Sequence, residues 1–318
     1  MICLMLIMCL YQPAYVSAAE KGSISITYPC EGIKVDLYEV AEQGEDSSYQ
    51  LKERFTGYPV VLNQQTKEEW AGQAQALASY IKRDAVHADY STTTNSTGNA
   101  DFNDLKEGMY LAVAQTLEKD DYIYQAMPYF ITIPGKSING KPQYNVKTTA
   151  KYEKTTVTDD KTDYKVVKIW SDKNHEKIRP KSITVQLLCD GKVSQEVRLS
   201  KENNWQYTWK DLSSKNQWEV VEKKETTDYF VSISKQETSF IIKNTYWDDE
   251  YYKDTTTEKK NKKTEETKET TDKKTQTDTT EKLPQTGQLW WPLPFLAAGG
   301  ILCIGIGLIK KRDNDETR

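Results

Sequence analysis

Histidine is nearly missing from this chain. His87 and His175 are the only two in 318 residues, and neither stands in an HExxH pattern or beside a nucleophile elbow. A zinc-hydrolase or Ser-His mechanism therefore has no footing, a secreted enzyme is the weakest function class, and both histidines are expected at the surface. Cysteine is scarce too. Of five, Cys3 and Cys9 lie in the first apolar stretch and Cys303 in the last. That leaves Cys30 and Cys189, one in each half of the folded part, which make neither a disulfide framework nor a zinc site. Two buried thiols are expected, with a single bridge between them as the alternative. An excess of basic charge is also missing: 43 Lys and Arg stand against 47 Asp and Glu, a formal charge of −4. Phosphate binding needs a concentrated basic face, so a nucleic-acid partner is excluded. The hydrophobic share of 37% is low for one large core, which points to several unequal segments. Nothing in the sequence calls for a cofactor.

What is present begins at the two ends. MICLMLIMCLYQPAYVSAAE carries an apolar run followed by Val16, Ser17, Ala18 and Ala19, a small-residue pattern suited to signal peptidase, so residues 1–19 are expected to be a signal peptide. The usual basic n-region is missing, which leaves room for a start further upstream. At the other end LPQTG, residues 283–287, precedes an apolar run over 289–309 and then Lys310, Lys311 and Arg312. As a helix such a run spans roughly 30 Å, enough for a bilayer, and the basic tail 310–318 holds the inner side. A plain tail anchor is one reading. The arrangement resembles the sorting signal of Gram-positive surface proteins. That resemblance implies that a sortase recognises Leu283 and Pro284, cleaves between Thr286 and Gly287, and joins Thr286 to peptidoglycan. Residues 248–282 are almost wholly Thr, Lys, Glu and Asp with no aliphatic side chain, the composition of a solvated, disordered linker that would span the wall.

Residues 154–247 follow period 2 in nearly every segment, with turns at Asp190-Gly191 and Ser213-Ser214, which predicts an antiparallel sandwich. Ile183, Val185 and Leu187 share a face, as do Trp205, Tyr207 and Trp209. Three faces carry a polar intruder: Lys168 beside Tyr164, Val166 and Trp170; Glu222 beside Trp218 and Val220; Asn244 beside Phe240, Ile242 and Tyr246. An amine, a carboxyl and a carboxamide are complementary. Burial favours a neutral, nucleophilic Lys168 and a protonated Glu222 that can polarise the Asn244 carbonyl, and loss of ammonia would leave a Lys-Asn amide. A hydrogen-bonded cluster without covalent change, or a Lys168 that reaches the sheet edge with its head in water, fits the same periodicity.

The run KVVKIWSDKNHEKIRPKSITVQLLCDGK, followed by NNWQYTW, WEVVE and FIIKNTY, resembles a Cna B-type domain in order and spacing. The resemblance implies an intramolecular isopeptide bond between Lys168 and Asn244, with Glu222 as the catalytic carboxyl. Lys165 has the wrong parity to compete.

In residues 20–153, Ile24, Ile26 and Tyr28, then Ile33, Val35 and Leu37, predict a strand pair holding Cys30 as a packed thiol rather than half of a thioester. Thr66 and Glu69 suit a capping box, and Trp70, Ala74, Leu77, Ala78 and Ile81 form one apolar helix face. STTTNSTGN is expected to be a polar loop. DFNDLKEGMYLAVAQ, the M-P-x-x-I-x-I-P run and the helix opening E-E-W resemble the N-terminal domain of Gram-positive pilins. In that resemblance Tyr144, Val146 and Lys151 match a pilin motif whose lysine is attacked by sortase, although Ala150 stands where the motif has proline. No inward lysine on the first strand suggests a bond in this region.

The expected architecture is mainly β: two Ig-like or prealbumin-like sandwiches in tandem, the first with an inserted helix, then a stalk and a C-terminal membrane helix. The expected role is that of a sortase-anchored wall protein, either a pilin subunit that joins other pilin subunits or a monomeric adhesin. A host matrix protein is the family-level partner.

Overall fold

The structure, a computed structural model, describes residues 20–44, 48–63, 66–158, 160–223 and 228–246. The expected signal peptide, linker, LPQTG motif, membrane span and basic tail lie outside the described residues.

The chain is mainly β, with one α-helix among the described residues. The first module holds β1 (Gly22–Thr27), β2 (Lys34–Gln43), β3 (Tyr49–Leu51), α1 (Lys67–Arg83), β4 (Tyr90–Thr93), β5 (Asn99–Leu105), β6 (Gly108–Ala114) and β7 (Leu117–Lys119). It continues through β8 (Tyr122–Ala126), β9 (Tyr129–Ile133), β10 (Gly135–Ile138), β11 (Lys141–Gln143), β12 (Asn145–Thr149) and β13 (Tyr152–Thr156). The second module holds β14 (Lys161–Ser171), β15 (Ser182–Cys189), β16 (Lys192–Ser200), β17 (Gln206–Ser213), β18 (Trp218–Glu222), β19 (Tyr229–Gln236) and β20 (Ser239–Tyr246).

In the first module the main layers are a sheet ordered β12-β1-β5 and a sheet ordered β3-β2-β6-β9. The strand pair expected from Ile24–Leu37 is not formed. β1 is hydrogen-bonded to β5 and β12, and β2 to β3, β4 and β6. The two apolar faces meet across a core instead, with Ile24, Ile26, Val35 and Leu37 in one cluster. Alternation marks a half-buried strand but does not say which strand it pairs with. The polar stretch after the helix is also partly extended, since β4 takes Tyr90–Thr93 and β5 begins at Asn99.

β6, GMYLAVA, is buried at every position. One of its faces looks into the sandwich through Tyr110 and Ala112, while Met109, Leu111 and Val113 look the other way, toward α1. The helix begins at the expected capping box: the Thr66 hydroxyl accepts from Glu69 N–H at 3.1 Å and the Glu69 carboxylate accepts from Thr66 N–H at 3.0 Å. Its burial exceeds a single stripe. Gly72, Gln73, Ala74, Ala76, Leu77, Ala78, Ser79, Tyr80 and Ile81 are all buried, because α1 also lies against β19, β18 and β16 of the second module. The core is correspondingly continuous from Tyr38 and Leu111 through Leu77 to Val185 and Ile242, and the described residues all fall within one compact unit.

The second module is an open sandwich of β17-β14-β20-β19 over β16-β15-β18. β15 and β16 are joined at Asp190-Gly191, both at positive φ (49° and 80°), the backbone that a two-residue hairpin turn of matching twist requires. Tyr207, on the same face as Trp209 by parity, is 41% exposed while Trp209 is buried, although both lie on the edge strand β17. Cys30 and Cys189 are free thiols, half-buried rather than buried, and burial raises both above the ordinary thiol range. His87 is exposed. His175 is half-buried, stacked on Tyr246 with ring centroids 4.0 Å apart.

Candidate functional site: a lysine, a glutamate and an asparagine in the second core

β14 lies between an antiparallel neighbour, β17, and a parallel one, β20. In the parallel register Lys168 is level with Ile242 and Trp170 with Asn244. Paired residues share a face, so Lys168 and Asn244 are diagonal neighbours on the inner surface. Glu222 ends β18 in the opposite sheet, level with Val185. The fold thus brings together the three polar residues that periodicity aimed inward, at 5%, 5% and 2% exposure for Lys168, Glu222 and Asn244.

The two carboxylate oxygens of Glu222 divide between the partners. Asn244 Nδ2 donates to Oε1 at 2.7 Å, and Lys168 Nζ stands 3.2 Å from Oε2. That second approach is an ion-pair distance without hydrogen-bond geometry. Lys168 Nζ, Glu222 Oε2 and Asn244 Oδ1 are all buried without a hydrogen-bond partner among the described residues. Burial pulls the Lys168 amine down to about 8, with Glu222 opposing the shift and Asp172 adding a smaller opposing effect. A neutral amine is a nucleophile, an amide carbon is an electrophile, and a carboxyl touching both can carry a proton between them.

Aromatic side chains close over the amine. Nζ sits 4.3 Å above the Trp170 ring, which meets Trp205 and Tyr229 edge-on at 5.2 and 5.1 Å. Trp205 holds a left-handed backbone, φ 57°, costly for a bulky residue, and its carbonyl accepts from Lys168 N–H at 2.8 Å. Behind them Arg179 forks onto Asp172 with two contacts of 2.6 Å and holds that carboxyl below its usual range. The Tyr229 hydroxyl donates to the same carboxylate at 3.2 Å.

The sequence left three residues of this neighbourhood unmarked. Asp172 gives no periodic signal. Tyr80 and Glu219 were hidden because their contacts cross between the modules: the Tyr80 hydroxyl donates to the Glu222 main-chain carbonyl at 2.7 Å, and Lys82 pairs with Glu219 at 2.8 Å. The run of small residues in WAGQAQALAS was the available signal, since a helix with Ala and Gly on several faces suits close approach on more than one side.

Lys151 lies apart from this site. It is exposed, between β12 and β13, after a buried Ala150, with Tyr144 and Val146 half-buried. Its carbonyl accepts from Met127 N–H at 2.9 Å. Leu283, Pro284, Thr286 and Gly287 fall outside the described residues. Among the described residues no group of three His, Cys, Asp or Glu side chains is placed to hold a metal.

Residues 164–245 match the family model of the Cna protein B-type domain. The collagen adhesin of Staphylococcus aureus is 31% identical over 80 residues, which is 25% of this chain and 7% of the adhesin's length. Among solved structures, a single B repeat unit (B1) of the collagen-binding surface protein of Staphylococcus aureus is 17% identical, with a TM-score of 0.27 over 73% of this chain and 100% of that one. The major pilin SpaD of Corynebacterium diphtheriae is 15% identical, with a TM-score of 0.28 over 71% and 64% of the two chains. The T6 backbone pilin of serotype M6 Streptococcus pyogenes is 15% identical, with a TM-score of 0.30 over 54% and 40%.

Proposed function

We propose that this chain is a wall-anchored surface protein of a Gram-positive bacterium, a pilin subunit or adhesin stalk, and that its second module is locked by an amide between Lys168 and Asn244. The observation that carries the lock is the set of three buried atoms on Lys168, Glu222 and Asn244 without a hydrogen-bond partner, two of which meet only at ion-pair distance. An inert polar cluster would satisfy its members, because each orphaned group costs about 1–3 kcal/mol. The reaction removes the conflict. Lys168 Nζ attacks Asn244 Cγ, the Nζ–Cγ bond forms and the Cγ–Nδ2 bond breaks. A proton passes from Nζ through the Glu222 carboxyl to Nδ2, and ammonia leaves. The step consumes no co-reactant, and the protein acts on itself alone.

Anchoring rests on the order of the C-terminal segments: solvated linker, LPQTG, apolar run, basic tail. Sortase would use Leu283, Pro284, Thr286 and Gly287, and peptidoglycan would receive Thr286. With Lys151 as a second acceptor the product is a pilus with other pilin subunits as partners; without it the product is a monomeric adhesin. A host matrix protein is the proposed ligand class, by analogy with the collagen adhesin.

The test of the lock is intact mass. The full chain should be lighter by one ammonia than the mass predicted from its sequence, and Glu222→Ala made in the same way should differ from wild type by that ammonia besides the substitution itself. Identical bookkeeping in both proteins sinks the lock. For anchoring, wall extracts run on a denaturing gel should show a high-mass ladder that disappears with Lys151→Ala if the protein polymerises, and a single wall-linked smear if it does not.

A further inference from the structure

β18 and β19 are the edge strands of opposite sheets, and they carry or flank two of the three reacting groups. Glu222 is the last residue of β18, and Val231 of β19 is the register partner of Asn244. No ladder joins these strands. The helix α1 of the first module lies against both of them.

One of the first module's contacts lands on the backbone of a reacting residue, and a second on the register partner of another. Tyr80, 1% exposed on α1, donates its hydroxyl to the Glu222 carbonyl at 2.7 Å, while Lys223 N–H, donating to Thr184 at 2.9 Å, ties down the far side of the same peptide. Pro59 accepts from Val231 N–H at 2.6 Å. The close fit of the helix depends on Gly72, where an added Cβ would stand 3.0 Å from Ser232 Cβ on β19.

We propose that the first module assembles the cross-linking site of the second, with Tyr80 as the positioning residue that holds Glu222 between Lys168 and Asn244. This rests on the lock proposed above. The reaction needs a carboxyl from one sheet within hydrogen-bond reach of an amine and an amide from the other, and a displacement of about 1 Å is enough to cost on the order of a hundredfold in rate. Loss of one hydroxyl that fixes the carboxyl's backbone should slow amide formation by about tenfold.

The experiment follows ammonia loss by mass in the full chain after a short pulse of cell-free synthesis, for wild type and Tyr80→Phe, across pH 6 to 9. The phenylalanine keeps the stack on Tyr58, whose ring lies 5.3 Å away. The groups facing the amine are Glu222 from β18, Asp172 and Arg179 beyond Trp170, and the ring itself. Tyr80→Phe should slow the reaction about tenfold and move the midpoint of its rise with pH downward, because a carboxylate that drifts from the amine no longer opposes the effect of burial. A folding defect alone would lower the yield and leave the midpoint where it is in wild type. Unfolding of Tyr80→Phe in an Asn244→Ala background, which cannot react, shows independently that the variant folds. A wild-type rate in Tyr80→Phe, or slowing with an unmoved midpoint, overturns the positioning role. If wild type itself loses no ammonia, the lock is wrong and this inference falls with it.

Discussion

Lys82 on α1 and Glu219 on β18 form an ion pair at 2.8 Å between a helix of one module and a strand of the other. Gln75 and Gln217 lie 3.5 and 3.3 Å from the same Glu219 oxygen, while its second oxygen has no partner. Lys82→Met leaves a buried carboxylate without its cation and should cost about 2 kcal/mol, below the range for a fully buried pair because Lys82 is partly exposed. Lys82→Met/Glu219→Gln should recover most of that loss. Urea unfolding of wild type, Lys82→Met, Glu219→Gln and the double variant measures the coupling, and additive single and double effects would show the pair to be idle.

Asn244→Ala should keep its full ammonia complement and lose stability. By loop-closure entropy, the proposed covalent link from residue 168 to residue 244 would contribute about 4.5 kcal/mol. Thermal or denaturant unfolding should therefore separate Asn244→Ala from wild type by several kcal/mol, whereas in a chain without the link the change would be only that of a lost buried amide.

Amide formation should depend on pH through Lys168. With its amine at about 8, the neutral fraction rises about tenfold per unit below that value and levels above it. A linked effect on stability appears in the unreactive Asn244→Ala protein. The folded amine releases its proton at lower pH than the unfolded one, so between about pH 8 and the ordinary lysine range the unfolded chain holds more protons and stability rises with pH. Asn244→Ala/Lys168→Met should lack that rise, and parallel pH-stability curves for the two proteins would contradict it.

Gly72 should tolerate little. Gly72→Ala gains up to about 1 kcal/mol of helix propensity against a contact at 3.0 Å with Ser232 Cβ, so a near-neutral result is expected. Gly72→Leu has no room and should cost about 1–3 kcal/mol. Scanning calorimetry should show the single transition of the joined modules splitting into two in Gly72→Leu, and a single unshifted transition would argue against a tight junction.

Much of the site was legible because strand parity is a strict rule. Lys168, Glu222 and Asn244 each break an apolar face, and a residue placed inward by alternation stays inward once the sheet forms. Pairing was less legible. β1 and β2 alternate cleanly yet belong to different sheets, since periodicity reports a face and not a neighbour. The junction was the least legible part. The stripe from Trp70 to Ile81 gave one face of α1, but Gly72, Ala76 and Tyr80 are buried by a second surface more than a hundred residues away in the chain. That surface also explains β18, where Glu219 and Val221 should be solvent-facing by parity and are covered by the helix instead.

The parallel pairing of β14 with β20 fixes how the second module meets force. Seven register pairs run from Lys165 and Ser239 to Ser171 and Thr245, and the chain arrives at the starting end of one strand and departs from the finishing end of the other. Pulling the termini apart slides the strands lengthwise, so all the rungs share the shear at once and none can be peeled off singly. Resistance to extension is written into the strand directions before any covalent rung is added.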